Sequence, residues 1–366
     1  MDLKTLNPSQ LERFILSEEF HNMPVIPISR HRALSHIHNP RVDPNDIVMV
    51  IAYEDNRMAG YLGVFSDRIY LNQQELKAGW LSCMWVDPNL RGRGIAKKLL
   101  NKVLETWDQR ILVTEFTQAA KGLYDRSGAF VDLKQSEGIR GYLRLDFEGI
   151  IPRKSPGLKR FKPFFRMSDA ILNLANQPRL KLTQKNPKVR WAYINFLDEE
   201  LEKFISSRQE GQLTRRRAED INWIIKYPWI LSAPKKDFLS QRYHFSALEK
   251  RFDVLNLKLT DTKGNLVGYI MLTIRGNYLK VPYFYVEPEF ISEAAKIILN
   301  HMIDAHLRII TTFHPELVAY FRENSQPFIH LRKAYRNYII SKVFQPYHQE
   351  QPNVLIQDGD ADCAFT

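Results

Sequence analysis

The stretch Val86–Leu100, "VDPNLRGRGIAKKLL", joins an apolar run to a helical period, and its reading decides the fold. Gly92 and Gly94 stand here among Arg91, Arg93, Lys97 and Lys98. A simple turn needs fewer glycines. The first turn of a helix has backbone N–H groups without intrahelical partners and carries about half a positive charge. Glycines leave those N–H groups open to a close approach, and the basic side chains favour an anion. The segment reads as a diphosphate cradle at a helix N-terminus. It is neither common nucleotide loop: the Walker pattern G-x-x-x-x-G-K-[ST] is missing, and Lys97 fills the third glycine position of the dinucleotide pattern.

Working outward, "GWLSCMWV" (Gly79 to Val86) reads as the strand entering the loop. "IAKKLLNKVLETW" leaves it with Ile95, Leu99, Val103 and Trp107 on one helical face. Upstream, Val48 to Ile51 form a buried β run, "EDNR" a hairpin turn and "AGYLGVF" the return strand. Downstream, "RILVTEF" reads as a strand, "TQAAKGLYDRSG" as a short helix closed by Gly128, and "GYLRLDF" as a last strand. The opening "MDLKTLNPSQLERFILSEEF" reads as an acidic amphipathic helix without the apolar centre of a signal peptide. No apolar run reaches the roughly 20 residues that span a bilayer, so a cytoplasmic protein is expected.

A chain of 366 residues exceeds what one core usually supports and implies two domains. Its 44% hydrophobic and 25% charged residues are those of a globular protein. Two cysteines, Cys83 and Cys363, exclude a disulfide framework or a cysteine zinc site. The net charge of +11 favours anionic partners.

The second half repeats the landmarks of the first. "NLVGYIMLTI" parallels "RMAGYLGVFS", matching Gly268 to Gly60 and Tyr269 to Tyr61. "YFYVEPEF" parallels "CMWVDPNL", and a helix and strand follow in each copy. Sequential matched landmarks point to a repeated fold. One difference is chemical. Where the first copy has Arg91 to Ala96, "RGRGIA", the second has Ile291 to Lys296, "ISEAAK", with no glycine, no arginine and a new glutamate. An anion accepted by the first loop has no place at the second.

Between the copies, residues 151–190 are dense in Lys, Arg and Pro and read as a basic linker. The expected domains are therefore 1–150, the linker 151–190, and 191–366 with its tail. Phe161, Phe164, Phe165, Ile171 and Leu172 could rest on an anionic membrane, but the interrupting prolines weigh against an interfacial helix. The terminal "QDGDADCAFT" lacks calcium-loop spacing and reads as a docked or frayed tail. "TRRRAED" (Thr214 to Asp220) reads as a charged helix start, and no RNA-binding signature accompanies it, which weighs against nucleic acid.

"RGRGIA" resembles the R/Q-x-x-G-x-G/A element of the GNAT superfamily of acyl-CoA-dependent N-acetyltransferases, with Arg91, Gly94 and Ala96 at its defined positions. "GLYDRSGAF" is similar to the family's next element, a tyrosine shortly before the Gly and Phe that open a strand, here Tyr124, Gly128 and Phe130. The resemblance covers about Met1 to Glu148, and the second half as a worn copy. It implies two tandem mixed α/β domains, each a mostly antiparallel sheet flanked by helices.

It further implies an acetyl-CoA co-substrate whose pantetheine arm lies between "GWLSCMWV" and "RILVTEF" where these parallel strands splay. Backbone groups of Met84, Trp85 and Val86 would serve the arm and the carbonyl. Arg91, Gly92, Arg93, Gly94, Ile95, Ala96 and Lys97 would hold the pyrophosphate, and Thr117 occupies a place where the family often has an asparagine. Tyr124 would protonate the departing thiolate, and Glu115 is the candidate base for an unidentified primary amine. Asp87 reads as a turn residue. No metal is expected: His31, His36 and His38 lack the i, i+4 spacing of a shared zinc ion, though they could border the acceptor. Two alternatives stand beside the transferase, a non-catalytic acyl-CoA-binding scaffold and a cell-wall-type aminoacyl transferase.

Overall fold

A computed structural model describes residues 1–233, 242–348 and 354–365. The chain opens with β1 (Asp2–Leu6), α1 (Pro8–Leu16), α2 (Glu18–Asn22) and α3 (Arg30–Ile37). Then come β2 (Met49–Glu54), β3 (Arg57–Leu71), β4 (Gln74–Val86), α4 (Ile95–Thr106), β5 (Ile111–Thr114), α5 (Gln118–Ser127) and β6 (Phe130–Tyr142). The middle supplies α6 (Phe147–Lys154), α7 (Lys162–Thr183), β7 (Arg190–Tyr193), α8 (Glu199–Ser206), α9 (Ala218–Lys226), β8 (Leu231–Ser232) and β9 (Leu248–Glu249). The last part is β10 (Phe252–Thr260), β11 (Leu266–Arg275), β12 (Tyr278–Val286), α10 (Ile291–Asp304), β13 (Ile309–Thr312), α11 (Pro315–Glu323) and β14 (His330–Ser341). This is a mixed α/β fold with mostly antiparallel sheet.

Two compact units result, and they cut across the expected boundaries at 150 and 190. One holds Met1–Ser136, Asn195–Phe252 and Arg336–Thr366; the other holds Glu137–Ile194 and Asp253–Tyr335. The reason is visible in the pairing. The far half of β6 pairs antiparallel with β13, Ile139 opposite Thr312, while the end of β14 pairs antiparallel with β5, Tyr338 opposite Thr114. Backbone hydrogen bonds, not sequence proximity, assign these strands.

Within the first unit, β1 to β4 form an antiparallel array and β5 joins β4 in parallel. Asp55 and Asn56, both at positive φ, make the turn foreseen in "EDNR". A second hairpin turns at Asn72 and Gln73, so β3 and β4 are longer than the sequence reading drew them. The helix α4 packs Ile95, Leu99 and Val103, all at most 2% exposed, onto Val50, Leu62 and Val64 of the sheet. Each such side chain contributes about 1.5–3 kcal/mol of burial.

The second unit has the same order: β10 beside β11, β11 antiparallel to β12, then β12 with β13 in parallel. Gly60 lies opposite Val86 in one unit, and Gly268 opposite Val286 in the other.

Several expectations are corrected. The N-terminus begins as a strand, because Asn7 and Gln10 form a capping box that starts the helix only at Pro8. The last strand of the first half starts at Phe130, directly after Gly128 closes α5, and ends before "RLDF". The basic segment 151–190 is largely helical: Pro163 sits in the first turn of α7, where its missing N–H costs nothing, and the helix continues through Pro178. Arg216 of "TRRRAED" is buried, its guanidinium donating to Asp67 at 2.8 and 3.0 Å. The tail is docked: Phe365 is 1% exposed and stacks on Trp229 with ring centroids 4.5 Å apart.

Candidate active site

The α4 N-terminus has an unusual build. Gly94 is its N-cap at φ +77°, with no side-chain cap and no acidic residue in the first turn. Gly92 is also left-handed, at φ +84°. A Cβ placed on either would meet no protein atom within 4 Å, so open space lies above both. Side chains other than glycine pay about 1–2 kcal/mol for this backbone conformation. Glycine adopts it without that cost and leaves the amides accessible.

The strand before it is shaped to match. β4 pairs with β5 only at Gly79–Ile111 and Trp80–Leu112, and the two strands then part. A bulge opposite Leu62 sets Cys83 at φ +58° and shifts the register between Ser82 and Trp85. Together these features open a groove of about 570 Å³ lined by Met84, Val86, Arg91, Gly92, Gly94, Ile95, Ala96, Lys97 and Thr117. Its far wall is the face of α5 bearing Ala120, Leu123 and Ser127. Thr117 caps α5, its hydroxyl accepting from the Ala120 N–H at 3.2 Å.

Two residues of the expected set face elsewhere. Alternation along β4 turns the Trp85 ring away to stack on Tyr61 at 5.5 Å. Arg93 reaches Glu54 at 3.2 Å. Asp87 caps the short 3₁₀ turn after β4, its carboxylate accepting from the Asn89 N–H.

The expected catalytic pair is not brought together in the groove. Tyr124 is 4% exposed, packed beside Phe116 and Phe130, and burial pushes its phenol up to about 12. It sits on α5 between the groove-lining Leu123 and Ser127 without lining the groove itself. Glu115, at φ +50° just after β5, forms an ion pair with Arg336 at 3.0 Å. That guanidinium engages one carboxylate oxygen, Oε1.

Sequence reasoning missed the cluster beside the bulge. Ser82 donates its hydroxyl to Asp362 of the docked tail at 2.5 Å. Arg32 of α3 donates to Cys83 Sγ at 2.6 Å, to the Tyr243 hydroxyl at 3.1 Å and to Ser82. Burial raises the pKa of Asp362, partly offset by Arg32 and Ser82, and Glu115 raises it further by like charge. An acid near the chain end and a serine near residue 82 carry no local signal of meeting.

The three histidines are engaged separately. His31 bonds the Trp229 carbonyl at 2.5 Å, His36 is buried and stacks on Trp229 at 5.3 Å, and His38 stacks on Tyr227 at 4.9 Å. Burial, with Arg32 nearby, drives the His36 pKa down to about 3. Among the described residues no group of three His, Cys, Asp or Glu is placed to hold a metal ion, and no helix is long and apolar enough to cross a membrane.

The loop geometry agrees with a family match: residues 13–129 fit the model of the Acetyltransferase (GNAT) family. Residues 13–129, about a third of the chain, match a GNAT domain. No curated protein matches it by sequence.

Solved structures share the fold across the whole chain. A probable N-acyltransferase from Enterococcus faecalis is 9% identical, with 93% of this chain and 72% of that one covered at TM-score 0.52. A GCN5-related N-acetyltransferase from Anabaena variabilis is 11% identical, with 92% and 72% covered at TM-score 0.51. The N-myristoyltransferase of Saccharomyces cerevisiae, solved with myristoyl-CoA, is 9% identical, with 93% and 78% covered at TM-score 0.50. At such identities the likeness is one of fold.

The second unit lacks the open loop. There α10 starts at Ile291 without a glycine cap. Glu293, 7% exposed, takes the Lys188 N–H at 2.6 Å and the Lys296 ammonium at 2.5 Å. A resident carboxylate stands in the helix's first turn, where the first unit leaves room for a guest.

Proposed function

We propose that this GNAT domain transfers an acetyl group from acetyl-CoA to a primary amine, by direct attack of the amine on the thioester. One observation carries the reading: the uncapped N-terminus of α4, opened by Gly92 and Gly94, lies in a groove that runs from the end of β4, already parted from β5, to the face of α5. A diphosphate suits the N–H groups there, with Arg91 and Lys97 adding charge. A pantetheine arm suits the unpaired edge of β4, which offers backbone partners as a neighbouring strand would.

In this reading the backbone N–H groups around Met84 to Val86 polarise the carbonyl, as an oxyanion hole does. Asp362, in place of Glu115, takes the proton from the amine: its raised pKa makes it a better acceptor than an ordinary carboxylate. Tyr124, behind the groove-lining Leu123, is assigned to the departing thiolate. Full proton transfer from a phenol near 12 to a thiol near 8.5 is uphill by about 5 kcal/mol. Tyr124 therefore acts chiefly by donating a hydrogen bond. The second unit, its loop filled by Glu293, is a worn copy that binds no cofactor.

A second reading, an acyl-CoA-binding protein without turnover, is favoured by the burial of Tyr124. Thiol release from acetyl-CoA across a panel of amines separates the two. Release with at least one amine class supports the transferase, and binding without release supports the alternative.

A further inference from the structure

We propose that α7 seats this protein on an anionic phospholipid surface. The helix is inverted relative to an ordinary surface helix. Its polar face is turned inward and fully used: Asp169 accepts from the N–H groups of Phe147 and Glu148 at 2.8 and 3.0 Å, and Asn173 bonds both the N–H and the carbonyl of Leu145. Asn176 donates to the Leu143 carbonyl at 3.0 Å, and Gln177 accepts from Arg144 at 2.7 Å.

The outward face is apolar. Phe164, Met167, Ile171, Leu174 and Leu182 recur at helical spacing and form one stripe, with exposures from 57% at Met167 to 87% at Leu182. Pro178 falls on this same stripe, so the residue that argued against an interfacial helix adds to its apolar face. A row of large apolar side chains held in water by a polar inner face calls for a covering partner.

The surrounding charge says what that partner is. Residues 151–190 contain eleven Lys and Arg and one acid, Asp169, a net +10 out of the chain's +11. That acid is buried. Lys162 and Arg166 lie near Glu148, at 3.9 and 2.6 Å, and basic residues flank the stripe at both ends. Apolar side chains entering the acyl boundary beneath a ring of lysine and arginine match an anionic leaflet. A nucleic acid would use the charge but leave the stripe in water. The 22 residues of α7 lie in the interface and do not span it.

The test uses the full chain and extruded vesicles, with no acyl-CoA, so its outcome does not depend on the transferase reading. Sedimentation is compared on vesicles of phosphatidylcholine alone and of phosphatidylcholine with about 30% phosphatidylglycerol. The wild type is expected on the anionic vesicles, and the Ile171→Glu/Leu174→Glu variant to bind them about tenfold less or worse. Circular dichroism shows whether that variant is folded; if it is not, Ile171→Ser/Leu174→Ser replaces it. Equal binding of variant and wild type, or no preference for the anionic vesicles, overturns the proposal. So does a lipid-free dimer that the substitutions convert to monomer, which would assign the stripe to a second copy of the chain.

Discussion

The Ser82 hydroxyl donates to the Asp362 carboxylate at 2.5 Å, tying the C-terminal tail to the bulge of β4. Two residues before the groove-lining Met84, a strand is held by a carboxylate 280 positions away in the chain. The tail thereby docks beside the bulge, without lining the groove itself. The Asp362 side chain remains 22% exposed.

Asp362→Asn is expected to lower kcat by about 10²–10⁴, the usual worth of a general base, while the acetyl-CoA-induced rise in Tm persists. Glu115→Gln is expected to cost far less. Steady-state kinetics on the two variants check the assignment, and the reverse ranking returns the role to Glu115.

Gly94→Glu should abolish the acetyl-CoA-induced Tm shift. The substitution places a carboxylate in the open space above α4 and strains a left-handed position by about 1–2 kcal/mol. Differential scanning fluorimetry reads this directly. An unchanged shift would sink the diphosphate assignment.

Tyr124→Phe retains the packing against Phe116 and Phe130 and removes the hydroxyl. About a tenfold or larger fall in kcat with unchanged acetyl-CoA affinity is expected from the loss of one donor. Full turnover would make the residue a packing element alone.

Glu293→Ala should destabilise by about 1–3 kcal/mol, because the Lys188 N–H and the Lys296 ammonium lose their common acceptor. Calorimetric titration of the wild type should give one acetyl-CoA per chain, unaltered in the variant. A stoichiometry of two would contradict the filled-loop reading.

Asp360 supplies a pH test. Burial raises its pKa to about 6, with Arg216 pulling the other way. An unfolded aspartate titrates near 3.9, so the native state binds this proton more tightly. The contribution of Asp360 to stability is thus greatest below about pH 4, falls as pH rises towards 6 and is level above it, the loss amounting to about 3 kcal/mol. Asp360→Asn cannot ionise, and its stability relative to wild type should grow over that window. Urea melts at about pH 4.5 and 7.5 would refute the raised pKa by showing the same difference at both.

The glycine loop, the face of α4, the closing Gly128 and the matched landmarks at Gly60 and Gly268 were all legible in the sequence. Each rests on local physics: left-handed backbone, helical period or hairpin turn. The helix α7 was misjudged for the converse reason, while the tail takes the docked one of its two expected states. Proline counts against a helix locally, but α7 starts where Pro163 costs nothing and is anchored by Asp169 and Asn173 to a segment some twenty to thirty residues earlier.

What the amino-acid order alone determined is the anion loop and the α/β alternation around it, since neighbours within a few residues decide both. Tertiary structure decided the rest. It paired β6 with β13 and β14 with β5, buried Tyr124 among aromatics, engaged Glu115 with Arg336 and brought Asp362 to Ser82. Those contacts join residues far apart in sequence, and a long-range ion pair or a docked tail is selected by what the rest of the fold leaves unsatisfied.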